Sequence, residues 1–271
     1  MSDIVKGYYD ENAQYEWERL DNPYRKVEFL STLYLIDKYF PKEGKLCDIG
    51  CGPGRYSIEM LKKGYDVTLF ELSSEELKLA KEKIKSEGLK AEEFICDTAL
   101  NINRLEDKKF NGMLIMGPMY HLYKKEDRLN VLKEAKKKLT DDGVALISYI
   151  NSIGTLKAGL TEFYETFEEI DNVYNYLGEQ VFDETKSFTE VYFTTPDAAL
   201  REIEEAGFQI VSYGGAESFL SGLHLPLKKV YEENRAVYDN FVKVAVEKCE
   251  LPQYRDATEH LNIVVGIKKE K

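Results

Sequence analysis

Residues 46–57 read LCDIGCGPGRYS, and no other stretch constrains the chain as tightly. The apolar run KLCDI leads into it. Gly50, Gly52 and Gly54 then alternate with other residues, and a helical pattern opens at Arg55. Glycine tolerates left-handed backbone and lets bare backbone come close to a ligand. A turn of this kind, between a strand and a helix, aims backbone N–H groups at one point. The stretch therefore reads as the first strand–turn–helix unit of an α/β sheet, with a ligand beyond the strand's C-terminal end.

The alternation continues downstream. Residues 55–63 form a helical pattern stopped by Gly64, and DVTLF is a second strand. SSEELKLAKEKIKSEG is a helix opened by a capping box from Ser73 to Glu76 and closed at Gly88. EEFIC and NGMLIM are the third and fourth strands. A helix over 126–139 turns Leu129, Leu132, Ala135 and Leu139 inward, and VALISYI is the fifth strand. Strands separated mostly by helices predict a parallel sheet covered on both faces. An earlier helix over 23–40 precedes them. After Asn151 the pattern lapses, and 152–193, rich in Glu, Tyr and Phe, is expected to be a helical insertion over the sheet edge. Thr195-Pro196-Asp197 starts a helix that stops at Gly207. FQIVSY is a sixth strand, a helix runs from about 228 to 249, and LNIVVGIKK is the last strand. The division is a cap segment over 1–40, a cofactor-binding core over 41–151, a cap insertion over 152–193 and completion of the sheet by 194–271.

The net charge of −12 argues against nucleic acid, since affinity for a polyanion comes from Lys and Arg on phosphates. Lys136-Lys137-Lys138 falls late in a helix, where cations suit the dipole. The four cysteines contain no CxxC pair and no secretory leader is evident, so reduced thiols and a cytoplasmic location are expected. No apolar run approaches the roughly 18 residues that span a bilayer. His121, His224 and His260 are isolated, and no metal site is expected.

A dinucleotide is the first ligand to consider, but its fingerprint needs G-x-G-x-x-G. Aligned on Gly50 or on Gly52, the third glycine falls on Arg55 or Ser57. Asp48, just before the turn, also suits a ligand that is cationic here. S-adenosylmethionine carries an ammonium and a sulfonium and no phosphate.

D-I-G-C-G-P-G resembles the first motif of class I S-adenosylmethionine-dependent methyltransferases. Later strand ends match that family in order: Glu71 after strand two, Asp97 with Thr98 after strand three, and MGPMYHL after strand four. The last of these resembles the G-P-L-Y-H-L segment of a bacterial small-molecule branch. The Y-Y-D…E-W-E-R-L start and FTEVYFTTPDAALREIEEAGF, 188–208, look like that branch too.

The resemblance implies a Rossmann-like α/β fold: a seven-stranded, mostly parallel sheet with its last strand antiparallel and a helical cap. It implies S-adenosylmethionine as cofactor, S-adenosylhomocysteine as product and a small-molecule methyl acceptor. The implied cofactor residues are Asp48, Gly50, Cys51, Gly52, Gly54, Glu71, Leu72, Asp97, Thr98, Met116 and Gly117. Glu71 would take the ribose hydroxyls, two acceptor oxygens matching a vicinal diol. Arg19 would meet the methionine carboxylate, with Tyr15 and Trp17, and Tyr9 beside them, either closing over the sulfonium or anchoring the cap. His121 and Tyr120 are the catalytic candidates, His121 as a proton acceptor. In the insertion Tyr164, Phe167, Tyr174 and Tyr176 either face a substrate or bury a cap helix, with Tyr164 and Tyr174 the candidates for the substrate side. A nicotinamide-dependent oxidoreductase and a non-catalytic cofactor-binding module are the alternatives, and the acceptor atom stays open at this level.

Overall fold

The computed structural model describes residues 2–105 and 109–267. Two helices lead, α1 (Asp3–Arg19) and α2 (Arg25–Tyr39). The alternating part follows: β1 (Lys45–Ile49), α3 (Arg55–Lys62), β2 (Asp66–Glu71), α4 (Ser74–Ser86), β3 (Glu93–Cys96), β4 (Phe110–Ile115), the single turn α5 (Pro118–His121), α6 (Lys125–Lys138) and β5 (Leu139–Ile150). The insertion contributes α7 (Ser152–Glu162), α8 (Ile170–Asn175) and a hairpin of β6 (Gln180–Phe182) and β7 (Val191–Phe193). The chain ends with α9 (Pro196–Glu205), β8 (Phe208–Gly215), α10 (His224–Glu233), α11 (Arg235–Glu247), α12 (Pro252–Arg255) and β9 (His260–Ile267).

Seven strands form one sheet in the order β3-β2-β1-β4-β5-β9-β8. Strands β1 to β5 pair in parallel, and β9 runs antiparallel to both β5 and β8. Strands β1, β2 and β4 are buried almost throughout, as a sheet covered on both faces requires. Side chains alternate between two cores. Cys47, Ile49 and Met113 pack against Val131 and Leu132 of α6 and Ile203 of α9. Leu46, Val67 and Leu114 pack against Leu35 of α2, Ile58 of α3 and Leu77 of α4. The parallel strands thus deliver all their C-terminal ends to one rim, where a ligand site forms.

Three local expectations change. The insertion is only partly helical: Val191, Tyr192 and Phe193 are buried as β7, and Val191 and Phe193 pack on Ile150, which suits a β-branched and aromatic run better than a helix. The helix expected over 228–249 breaks at Asn234, whose φ is −151° and whose side chain caps α11 by accepting from the Val237 N–H at 3.2 Å. The capping box is half made: Ser73 Oγ accepts from the Glu76 N–H, but the Ser73 N–H donates to Glu71 Oε1 at 2.8 Å and not to Glu76. The last strand is described to Ile267, so the expected Lys268 and Lys269 lie outside the described residues. Among the described residues no helix is long and apolar enough to cross a membrane.

Candidate active site

A cavity opens where β1, β2, β3 and β4 end. Its floor is the glycine turn. Gly50 has φ +74°, and a Cβ there would lie 2.7 Å from Pro118 Cδ, so only glycine lets this turn pass beneath the β4–α5 junction. Gly54, with φ +84°, precedes α3 and packs on Ala80 of α4, where a Cβ would stand 3.0 Å from the alanine methyl.

Glu71 ends β2 buried, with Oε2 accepting from the Gly52 N–H at 2.9 Å and Oε1 from the Ser73 N–H at 2.8 Å. Each oxygen keeps a second lone pair for a ligand hydroxyl. Burial raises its pKa despite these backbone bonds. Asp97 ends β3. Its Oδ1 accepts from the Thr98 N–H and from Asn101, both at 2.8 Å, and Oδ2 pairs with Arg104. Burial pushes that carboxyl up, but these partners hold it below its ordinary value.

Of the expected cofactor residues, Gly50, Cys51, Gly52, Glu71, Leu72, Asp97, Met116, Gly117 and Arg19 line the cavity. Four do not. Asp48 is 1% exposed and turned into the core, accepting from Ser57 Oγ at 2.6 Å; burial raises its pKa to about 7. It braces α3 where the sequence suggested contact with a cation. Gly54 serves packing, and Thr98 serves Asp97 through its backbone. Trp17 points away, its ring under Arg55 and Lys83 at 4.8 and 4.4 Å.

A second chamber adjoins the first, and the two share Tyr9, Glu16, Arg19, Tyr120 and His260. Aromatic rings from four places build its walls: Tyr8 from α1, Tyr120 from α5, Phe163 and Tyr176 from the insertion, and Phe188 and Phe193 around β7. Tyr15 lines its mouth, 59% exposed. Tyr164 and Tyr174, the expected substrate residues, line neither chamber and are 60% and 66% exposed. Their neighbours Phe163 and Tyr176 face inward instead.

Helix α1 roofs both chambers. Asp10 fastens it to α4, accepting from Ser73 Oγ at 2.7 Å and from the Glu75 N–H at 3.2 Å. At about 100° per residue, Val5, Tyr9, Glu16 and Arg19 share the inward side, while Trp17 falls well off it. That wheel is the signal by which Tyr9 and Glu16 are separable from Trp17. Arg19 is not free: Nε donates to Glu16 at 3.0 Å and a terminal nitrogen to Glu28 at 2.9 Å. Its remaining N–H groups leave it able to meet a ligand anion.

His121 is buried between two partners. Nδ1 lies 2.9 Å from the Glu190 carbonyl oxygen, which can only accept, so Nδ1 carries the proton. Nε2 then accepts from the Tyr9 hydroxyl at 2.7 Å. Burial holds the imidazole neutral, its pKa lowered to about 4. His121 therefore does not offer a bare nitrogen to an acceptor; Tyr9 stands between. The Tyr120 hydroxyl, on the wall common to both chambers, makes no hydrogen bond among the described residues.

The chamber's charged wall is paired within itself. Arg25 spans Glu162 and Glu259 at 2.8 and 2.9 Å, and His224 lies 3.1 Å from each of the same carboxylates. His260 lies 2.7 Å from Glu217. No spacing in the sequence reveals these groupings: Arg25 stands 137 residues from Glu162 and 234 from Glu259, and Glu217 stands 43 from His260.

Residues 46–143 match the family described as a methyltransferase domain. The ubiquinone biosynthesis O-methyltransferase of Haemophilus ducreyi is 31% identical over 158 residues, covering 57% of this chain and 63% of its own. That of Pasteurella multocida is 35% identical over 164 residues, with the same two coverages. The chain thus spans less than two thirds of the length of these relatives. An S-adenosylmethionine-dependent methyltransferase of Clostridium acetobutylicum shares the fold at TM-score 0.58 and 14% identity, over 96% of this chain and 99% of the other. The Burkholderia thailandensis 1,6-didemethyltoxoflavin-N1-methyltransferase, solved with that compound and S-adenosylhomocysteine, shares it at TM-score 0.60 and 13% identity, over 98% and 88%. With its glycine turn, its acid after β2 and its sheet order, the chain carries over residues 46–143 a region that matches the methyltransferase domain, and it shares the fold of S-adenosylmethionine-dependent methyltransferases.

Proposed function

We propose that the chain transfers a methyl group from S-adenosylmethionine to a small ring compound bearing an O–H or N–H. The observation that carries this reading is the meeting of two chambers at Tyr9 and Tyr120. One is floored by the glycine turn and strand-end acids; the other is walled by aromatic rings.

The residues present fit the cofactor. Glu71 keeps lone pairs for a ribose diol, Leu72 and Met116 offer apolar surface to a base, and Asp97 stands at the next strand end. The cavity wall carries Glu16, Glu28, Glu71 and Asp97 against Arg19, Arg55 and His260, an acid excess suited to a cationic ligand. Bound there, S-adenosylmethionine would supply an electrophilic methyl group whose leaving group is a neutral thioether.

The chain's own work is to orient the acceptor, exclude water and move a proton. The aromatic walls suit a flat ring, and Tyr120 has a hydroxyl to spend on it. The acceptor's proton passes to Tyr9 Oη while the Tyr9 proton passes to His121 Nε2. The resulting imidazolium is held through Nδ1–H by the Glu190 carbonyl. A base as weak as this one serves because the acceptor's proton grows acidic as the new bond forms. One relative's name, an O-methyltransferase of ubiquinone biosynthesis, supports a ring acceptor.

Calorimetry with S-adenosylmethionine and S-adenosylhomocysteine tests the cofactor. A screen of phenols, catechols and heterocyclic amines with radiolabelled methyl donor tests the acceptor. Absence of binding by folded protein would refute the reading, and labelling of acyclic amines alone would refute the ring acceptor.

A further inference from the structure

We propose that Glu76 is a cofactor-binding residue, holding one ribose hydroxyl of the adenosyl group while Glu71 holds the other. The proposal rests on the cofactor reading above.

Glu76 sits in the first turn of α4, three residues after Ser73, where a glutamate ordinarily bends back to accept from the N-cap N–H. Here Glu71 Oε1 already accepts from that N–H. Glu76 is released from the capping task, yet it does not turn to water. It is 2% exposed and lines the cofactor cavity. Its carboxyl makes no hydrogen bond and no ion pair among the described residues.

Facing the cavity without a protein partner, the carboxyl keeps its hydrogen-bonding capacity for a ligand. Position identifies the ligand group. The Glu76 carboxyl oxygens lie 3.6 and 3.8 Å from the point a Cβ on Gly52 would occupy. The Gly52 N–H is the one that donates to Glu71 Oε2. Two carboxyl groups therefore converge on one glycine, one bound to backbone through both oxygens and one bound to nothing. A vicinal diol offers two hydroxyls, each able to donate and accept. Glu71, whose oxygens are half used, suits one, and Glu76 suits the other. Burial, with Glu71 and Glu16 nearby, raises the Glu76 pKa well above the ordinary range. In its neutral form the carboxyl both donates and accepts, and it adds no second charge beside Glu71.

The test uses the whole chain and three variants, Glu76→Met, Glu76→Ala and Glu76→Gln, with calorimetry against S-adenosylmethionine and S-adenosylhomocysteine separately and thermal unfolding without ligand. The methionine variant is expected to melt higher than wild type when ligand-free, because the unpartnered carboxyl is gone. It should bind both ligands at least about 10-fold more weakly, the loss of one good hydrogen bond. Glu76→Gln, which still donates and accepts, should stay within about 3-fold of wild type on the same scale. Wild-type affinity in the methionine and alanine variants overturns the proposal. So does a loss confined to S-adenosylmethionine, which would place Glu76 at the sulfonium. Should the methionine variant not fold, the alanine variant decides. Failure of wild type to bind either ligand would instead strike the cofactor reading itself.

Discussion

The floor and the roof of the cavity are made of different material. The floor is backbone and strand ends: the glycine turn, the Gly52 and Ser73 N–H groups on Glu71, and Asp97 fixed by its own following residues. Its parts are near one another in sequence and lie on a sheet buried on both faces. The roof is side chain. Helix α1, the 183–190 segment and the insertion meet over the site through rings and ion pairs, such as Tyr8 on Phe188 and Arg25 between Glu162 and Glu259. On the proposed function, a floor of this kind would hold what stays constant, the cofactor. A roof of this kind is free to be rebuilt around a different acceptor without disturbing the sheet.

If that division is right, substitutions in the two regions separate binding from transfer. His121 belongs functionally to the roof, since Tyr9 of α1 and the Glu190 carbonyl set its tautomer. His121→Ala should slow transfer to an acceptor found in the screen by at least about 100-fold, the lower range for loss of a general base. Affinity for S-adenosylmethionine, measured by calorimetry, should change by less than about 10-fold, the scale of one neutral hydrogen bond, because His121 spends both ring nitrogens on Glu190 and Tyr9. An equal loss in both would erase the distinction. Glu71→Ala does the reverse. It should weaken cofactor binding by about 1.5–3 kcal/mol, as removal of a charge-assisted hydrogen bond does. Unchanged affinity would show that the diol rests elsewhere.

The same contrast decides what could be read from the sequence. Glu71, Asp97 and the glycine turn stand where a strand pattern stops, and an apolar run followed by an acid is visible without a fold. The parallel sheet follows from the alternation for the same reason, whereas the antiparallel last strand came only with the family resemblance. The roof was not legible, because its contacts are made between segments with no shared period. Tyr164 and Tyr174 looked equivalent to Phe163 and Tyr176 in an aromatic run, and only the 3₁₀ turn over Tyr164–Glu168 and helix α8 decide which rings face in. Asp48 shows the converse failure: its position in the motif is legible, its orientation toward Ser57 is not. Glu76 was hidden by a local rule, the capping box, that a neighbour satisfied first.

Two histidines carry the contrast into pH dependence. In the site, burial lowers the pKa of His121 to about 4, below the unfolded value of about 6.5. The unfolded chain therefore binds more protons between those values, and stability falls as pH drops through that window. In the roof, burial opposes the charge on His224, but Glu162 and Glu259 overcome it and raise its pKa to about 9. Its contribution is complete below about 6.5 and is lost as pH rises through 9. Melting temperature should peak near neutrality. His224→Gln should flatten the alkaline arm alone, with a shift of about 2–4 °C for each kcal/mol lost in a domain of this size. An alkaline arm unchanged by that substitution would mean the roof's ion network does not hold α10 to α7.

The smallest effects are expected where the roof faces water. Tyr164→Ala and Tyr174→Ala remove rings that touch neither chamber, so each should leave stability within about 0.5 kcal/mol of wild type and acceptor KM within about 2-fold. Tyr176, in the same run, is buried against Phe167, Phe182 and Phe193, and Tyr176→Ala should cost about 3–5 kcal/mol by leaving a cavity. The pairing matters more than either number, because Tyr174 and Tyr176 are two residues apart and of one chemistry. If Tyr174→Ala raised acceptor KM as Phe163→Ala is expected to do, the acceptor would extend past the aromatic walls onto the insertion's outer face. The roof would then be a surface for part of a longer molecule and not a lid over a small one.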